Sequence, residues 1–228
     1  MFGFSRVARA YILPFVAFML LLGFMETINA ISHGTGPFLL AAPQYWIFPL
    51  QTLVCGAVLI HYWGIYALHR PRQIAFTVFI AIAVLVLWIA PQLLLGLSHR
   101  DRGFDPGIFD YSPPLKIASI ALRFLRLVVV VPLLEEIFWR GFLLRYLISE
   151  NFTEVPFGKF TWFSFTIVVI AFAFAHAGAD FWPALITGAL YNLLAAKTRS
   201  LASCVLAHAL TNLGLGIYIM QTRQWGFW

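Results

Sequence analysis

The chain has 228 residues, of which 61% are hydrophobic and only 11% are charged, and its mean hydropathy is +0.86. Soluble domains carry about 25% charged residues, so this composition excludes an ordinary soluble protein and predicts an integral membrane protein. The net charge of +6 comes from basic residues scattered at the ends of apolar segments. This pattern indicates orientation in a lipid bilayer and argues against a nucleic-acid partner. Cys55 and Cys204 lie in apolar runs, which predicts buried packing residues.

The N-terminal half predicts three membrane-spanning helices. Their apolar segments are Tyr11–Ile31, Tyr45–Leu68 and Gln73–Leu97. A basic start with Arg6 and Arg9 also occurs in signal peptides, but the length of the first segment and the spans that follow favour an uncleaved span. A polar loop, Ser98–Pro114, ends this half.

The C-terminal half begins with one long segment, Leu115–Ile148. Arg123 and Arg126 share a face near its start, which predicts an amphipathic helix at the membrane interface. Pro132 is expected to bend or break the segment. Three shorter apolar segments follow, Thr161–Ala177, Pro183–Ala196 and Ser200–Met220.

The predicted fold class is an all-α polytopic membrane protein of about seven to eight transmembrane helices with a polar active site inside the bundle. A break at Pro132 would divide the long segment and give the eighth transmembrane helix. We expect a single membrane domain over 1–228, with N-terminal helices in 1–114 and a motif-bearing core in 115–220. With seven spans, a cytoplasmic N-terminus places inside seven of the eleven Lys and Arg residues that flank the spans, and this bias favours that orientation.

Two carboxylates and an arginine interrupt the long apolar segment: Glu135, Glu136 and Arg140. Burial of an unpaired carboxylate in such surroundings costs several kcal/mol, so these residues require either interaction partners or a functional role. Glu136 and Arg140 are four residues apart and favour an ion pair on one helix face. Glu135 is rotated by about 100° and remains available for chemistry.

Two further polar signals lie on the later apolar segments. His176 ends one segment, and His208 with Asn212 occupies one face of another. Ionisable residues within a membrane usually face one another or a wet cavity, which predicts that these side chains converge. A glutamate and a histidine can activate water for attack on an amide carbonyl, and a histidine and an asparagine can stabilise the oxyanion.

Three motifs in this order resemble those of the CPBP intramembrane endopeptidases, which include CAAX prenyl endopeptidases and bacterial Abi proteins. They are Glu135-Glu136-x-x-x-Arg140, Phe172-x-x-x-His176 and His208-x-x-x-Asn212. The resemblance extends from about Leu115 to Met220 and implies a peptide hydrolase. A branch associated with exosortase systems shows some similarity.

The resemblance implies roles for individual residues. Glu135 resembles the general base and His176 its partner in activating water. His208 and Asn212 resemble the oxyanion-stabilising pair, and Glu136 with Arg140 the structural ion pair. Two cofactor states stay open: no cofactor, or zinc held by Glu135, His176 and His208.

The expected partners are the lipid bilayer and a membrane-associated protein or peptide cleaved near its end. The short chain favours a bacterial inner membrane. Two other functions are possible hypotheses. A proton-coupled transporter could use the same polar residues as a relay, and the chain could be a non-catalytic membrane partner or immunity protein. The lack of repeat symmetry and the complete set of motifs favour the protease.

Overall fold

In the computed structural model, residues 5–96, 100, 103–176 and 178–228 are described, and every regular element among them is a helix. The all-α prediction is therefore confirmed. The segment ends predicted at Leu97, Ser98 and Ala177 lie outside the described residues. The helices are α1 (Arg6–Ser32), α2 (Phe38–Ala41), α3 (Gln44–His61), α4 (Ile74–Leu95), α5 (Pro113–Tyr146), α6 (Trp162–Ala175), α7 (Phe181–Thr198) and α8 (Leu201–Thr222).

Four of these helices, α1, α4, α5 and α8, are long and apolar enough to cross a membrane. Helices α3 and α7 have 18 residues each, and α6 has 14. At 1.5 Å per residue, these three helices span about 21 to 27 Å, slightly less than the ~30 Å hydrocarbon core. Together the apolar helices are those of an integral membrane protein.

Helix α3 is shorter than predicted. The second span was expected to continue to Leu68, but α3 ends at His61 and a 3₁₀ turn follows at Trp63–Ile65. Gly64 lies within this turn, and glycine is a poor helix former because of its backbone freedom. The apolar character of Tyr62–Leu68 therefore does not reflect a continuous helix.

Helix α5 runs unbroken through Pro132 for 34 residues. A π-helical stretch, Arg126–Val130, precedes the proline, and the Val131 N–H donates to the Arg126 carbonyl five residues back. Local π adjustments of this kind accommodate prolines in membrane helices. A second π-helical stretch, Ile137–Leu143, contains Arg140. The predicted alternative of two separate helices is therefore not observed.

The chain forms two compact units. Unit 1 comprises Met1–Ile65, Arg100–Leu134 and Gly216–Trp228. In unit 1, α1 packs along α3, and the first part of α5 also contacts α3. Arg123 and Arg126 are 3% and 7% exposed. They therefore lie inside unit 1, whereas the sequence predicted them on an interfacial face.

Unit 2 comprises Tyr66–His99 and Glu135–Leu215. Its most extensive helix pair is α6 with α7, and α4 also packs on α7. Unit 2 contains all the predicted site residues, Glu135, Glu136, Arg140, His176, His208 and Asn212. The candidate site is thus built within one unit.

Candidate active site

Glu136 is the centre of a buried polar network. It is 0% exposed, and its Oε1 atom accepts hydrogen bonds from Arg140 Nη1 at 3.0 Å and from His208 Nδ1 at 2.9 Å. The first contact follows from the four-residue spacing along α5, and the second joins α5 to α8. Its other oxygen, Oε2, is buried without a hydrogen-bond partner among the described residues. Glu136 is thus held in place by two basic side chains.

Arg140 is 0% exposed and has acceptors at each of its three nitrogens. Besides its bond to Glu136, its Nε donates to Asn192 Oδ1 at 3.1 Å and its Nη2 donates to the Gly188 carbonyl at 3.3 Å. The rings of Phe172 and Tyr191 lie 5.0 and 5.4 Å from its Cζ atom. A buried guanidinium that is bonded at every nitrogen and paired with a carboxylate is a structural element, because these bonds fix its position within the protein.

Close packing of α6 and α7 makes this arrangement possible. A Cβ atom at Gly188 would lie 3.3 Å from Val169 Cα and 3.4 Å from Phe172 Cδ1. Small residues let membrane helices approach closely, and amide side chains then bond across the gap. Asn192 does so, because its Nδ2 donates to the Phe165 carbonyl at 3.2 Å while its Oδ1 accepts from Arg140. Asn192 thus forms an interhelical hydrogen bond between α7 and α6.

A second chain of hydrogen bonds links α7, α8 and α4. Tyr191 donates from its hydroxyl to Thr211 Oγ1 at 2.9 Å, and Thr211 donates to the Ala81 carbonyl at 3.0 Å. The Tyr191 ring also lies 5.4 Å from the His208 imidazole. These contacts fix the rotation of α8 and therefore the direction in which His208 points.

His176 lies at the end of α6 and is oriented by its own helix. Its Nδ1 is 2.9 Å from the Phe172 carbonyl, and a carbonyl can only accept, so Nδ1 carries the proton of this bond. The Trp88 and Phe172 rings pack against the imidazole at 5.9 and 4.5 Å. Trp88 is anchored by its bond to Thr187 Oγ1 at 3.0 Å. The Nε2 atom is therefore the ring nitrogen available for chemistry.

Glu135 differs from every other charged residue at the site. Its side chain is 5% exposed, and its Oε2 atom has no hydrogen-bond partner among the residues that the structure describes. In the same set of residues, no hydrogen bond joins Glu135 to His176 or to His208. An isolated buried carboxylate is costly, and it is suited to taking a proton from a bound water.

The structure brings some predicted residues together and leaves others apart. Glu136, Arg140 and His208 are directly bonded, and the bond of His208 to Glu136 uses Nδ1, not Nε2. Asn212 lies one turn further along α8 and is partly exposed. Within the described ranges, no group of three His, Cys, Asp or Glu residues could hold a metal. Glu135, His176 and His208 as arranged therefore do not fit a zinc site.

Several residues of the network were not found from the sequence. These residues position charged or histidine side chains through the contacts above, and they are Trp88, Thr187, Gly188, Tyr191 and Thr211. The one sequence signal for the α6–α7 contact was a small residue followed by a polar pair. It is Gly188-x-x-Tyr191-Asn192. The two cysteines are free and buried, as predicted.

One known protein family matches the region that contains the candidate site. Residues 117–214 match the family described as Type II CAAX prenyl endopeptidase Rce1-like. This region is a little under half of the chain and includes all the predicted site residues. Neither the curated proteins nor the solved structures contain a match. Residues 117–214 are therefore similar to the Rce1-like type II CAAX prenyl endopeptidases.

Proposed function

We propose that the protein is a glutamate-dependent intramembrane endopeptidase in which Glu135 is the general base. The observation that carries this proposal is the contrast within one glutamate pair. Glu136 is bonded through Oε1 to Arg140 and His208, whereas the buried side chain of Glu135 has no hydrogen bond to any described residue. A buried carboxylate of this kind persists at the expense of stability, which is typical of a catalytic group.

The reaction is the hydrolysis of an amide bond. Glu135 takes a proton from water, and the resulting hydroxide attacks the peptide carbonyl carbon. The C–N bond then breaks, and the proton passes to the leaving amine. His176 contributes Nε2, the ring nitrogen that its bond to Phe172 leaves available, as an acceptor that orients the attacking water.

The oxyanion is stabilised from α8. Because Nδ1 of His208 donates to Glu136, Nε2 is the atom that faces a substrate, and it donates to the oxyanion in the imidazolium form of the ring. Asn212 follows one helical turn later and supplies an amide donor. Preorganised donors of this type contribute about 10²- to 10³-fold to the rate of acyl transfer.

The proposed mechanism contains no metal step, because the donors do not form a three-residue ligand set among the described residues. We therefore expect purified protein to contain much less than one zinc per chain by elemental analysis and to keep its activity after treatment with EDTA. Stoichiometric zinc that disappears together with activity would contradict this part of the proposal.

The proposed substrate is a membrane-associated protein or peptide that is cleaved near its end. The proposed location is a bacterial cytoplasmic membrane with the N-terminus in the cytoplasm, which the distribution of basic residues supports. The name of the matching family supports a prenylated C-terminal segment as the first substrate to test.

The experiment compares wild type with Glu135→Gln in detergent micelles. A quenched-fluorescent, farnesylated CAAX peptide and its unprenylated counterpart are the probes. Loss of a general base lowers the rate by about 10²- to 10⁴-fold, and we expect this loss on whichever probe is cleaved. Glu154→Gln, in the exposed connection after α5, is the matched control and keeps full activity. A folded Glu135→Gln variant with wild-type activity would refute the proposal.

A further inference from the structure

A second buried arginine, Arg123 in unit 1, lies among aromatic rings. It is 3% exposed. Its Cζ atom lies 4.0 Å from the Phe48 ring centroid, 5.4 Å from that of Phe104 and 5.8 Å from that of Trp228. Rings stabilise a guanidinium through its faces, but its N–H groups point outward in the plane and still need acceptors.

Those acceptors are absent from the part of the chain that the structure describes. The Nε and Nη1 atoms of Arg123 are buried and have no hydrogen-bond partner there, and neither has the indole Nε1 of Trp228. Buried donors are almost always bonded, so each exception requires an explanation. The three unsatisfied donors of Arg123 and Trp228 indicate a missing group that supplies acceptors.

The charge around Arg123 is also unbalanced. Arg126 is 7% exposed, lies 4.5 Å from the same Phe48 ring and donates from Nε to Gln51 Oε1 at 2.7 Å. No carboxylate of unit 1 forms an ion pair with Arg123 among the described residues, and Asp110 is bonded to Lys116. Two buried cations beside one ring repel each other. A bound anion would relieve this repulsion.

A small, partly open cavity leads to the arginine. It is lined by Phe48, Pro49, Phe104, Ser119, Leu122 and Arg123. The Ser119 hydroxyl donates to the Lys116 carbonyl of its own helix, so Arg123 is the donor in the cavity wall. The interior is about the size of one water molecule. One oxygen of an anion can enter while the remainder stays in the opening.

The length of α5 indicates which anion is available at this depth. Its 34 residues correspond to about 51 Å, which exceeds the ~30 Å hydrocarbon core by about 20 Å. If the excess is shared between the two ends, Arg123, ten residues into the helix, lies about 5 Å inside the hydrocarbon boundary. The phosphates of lipid headgroups are the anions closest to that level.

We propose that Arg123 binds an oxygen of a phosphate group, supplied by a membrane phospholipid. Arginine suits this ligand because it stays charged when buried and bonds phosphate oxygens directly. The site lies in unit 1 and does not depend on the proposed peptidase activity.

The test measures thermal unfolding of the full chain in detergent, either alone or with phosphatidylglycerol, phosphatidylcholine or inorganic phosphate. We expect phosphatidylglycerol to raise the Tm of wild type by roughly 3 to 6 °C. Arg123→Met removes the donors at similar size and should lose this rise. Lys116→Gln removes one positive charge at an exposed side chain of the same helix. This variant should keep the rise in Tm.

The other outcomes are also decisive. An equal rise with inorganic phosphate would support the site but assign free phosphate as its ligand. A rise of the same size in Arg123→Met would overturn the proposal. So would an Arg123→Met protein that is more stable than wild type in every condition, as expected for a buried cation without a ligand.

If Arg123→Met does not fold, Arg123→Lys keeps the charge with fewer and differently placed donors. Native mass spectrometry then counts the phosphatidylglycerol molecules that each protein retains. Weaker retention than in wild type supports the proposal, and equal retention overturns it.

Discussion

Helix α5 carries two buried arginines in opposite situations. Arg140, in unit 2, has acceptors at all three nitrogens, including the Glu136 carboxylate. Arg123, in unit 1, is surrounded by rings and has two nitrogens without acceptors among the described residues. Both side chains are nearly inaccessible, so burial alone does not distinguish them.

The difference shows how a structural charge can be separated from a binding or catalytic one. A group whose hydrogen bonds are complete within the protein stabilises the fold. A buried group whose hydrogen bonds are incomplete destabilises it until a ligand arrives. A related difference separates Glu136, whose Oε1 atom is bonded to two basic side chains, from Glu135, whose side chain is bonded to none among the described residues.

The largest predicted effect on the free energy of unfolding comes from removing the guanidinium of Arg140 from its hydrogen-bond network. Arg140→Met leaves the Glu136 charge buried without its main partner, and removal of one member of such a pair costs about 3–5 kcal/mol. Unfolding of the purified variant in a denaturing detergent measures this loss. Arg70→Met, at an exposed position, should change the unfolding free energy by less than about 0.5 kcal/mol. A loss below about 1 kcal/mol for Arg140→Met would remove the distinction between the two arginines.

A smaller effect is expected when Arg140 keeps its carboxylate but loses a neutral acceptor. Asn192→Ala leaves Arg140 Nε and the Phe165 carbonyl without their shared amide. An unsatisfied buried group costs about 1–3 kcal/mol. Asn29→Ala is the control, because the Asn29 side chain has no hydrogen bond within the described residues. Equal stability of the two variants would mean that Asn192 does not support Arg140.

The smallest effect tests the close approach of α6 and α7. Gly188→Ala places a Cβ atom 3.3 Å from Val169 Cα, and such overpacking costs about 1 kcal/mol or slightly more. Gly23→Ala in α1 meets nothing within 4 Å and should not destabilise the protein. A Gly188→Ala variant as stable as Gly23→Ala would show that the helices can separate without loss.

Part of the site could be predicted from local spacing. Glu136 and Arg140 are four residues apart on one helix, and their contact depends on little else. The helices themselves follow from apolar length, although the end of α3 did not, because Tyr62–Leu68 is apolar without being helical. Pro132 was expected to disturb α5, but the neighbouring π-helical turn accommodates it.

Contacts between distant segments could not be predicted in this way. The bond between His208 and Glu136 joins residues 72 positions apart and depends on the rotation of α8, which Tyr191 and Thr211 fix. The burial of Arg123 likewise depends on Phe48 and Phe104 from other parts of the chain. A single sequence shows the period of a helix but not the partner that its polar face meets.

The most direct test of the account compares Glu135→Gln with Glu136→Gln in both stability and peptidase rate. We predict that Glu135→Gln unfolds at the wild-type temperature or above, because it removes an isolated buried charge, and loses activity. Glu136→Gln should lose about 3–5 kcal/mol, because Arg140 and His208 lose their carboxylate. A Glu135→Gln protein that is fully active, or as destabilised as Glu136→Gln, would contradict the division of roles between the two glutamates.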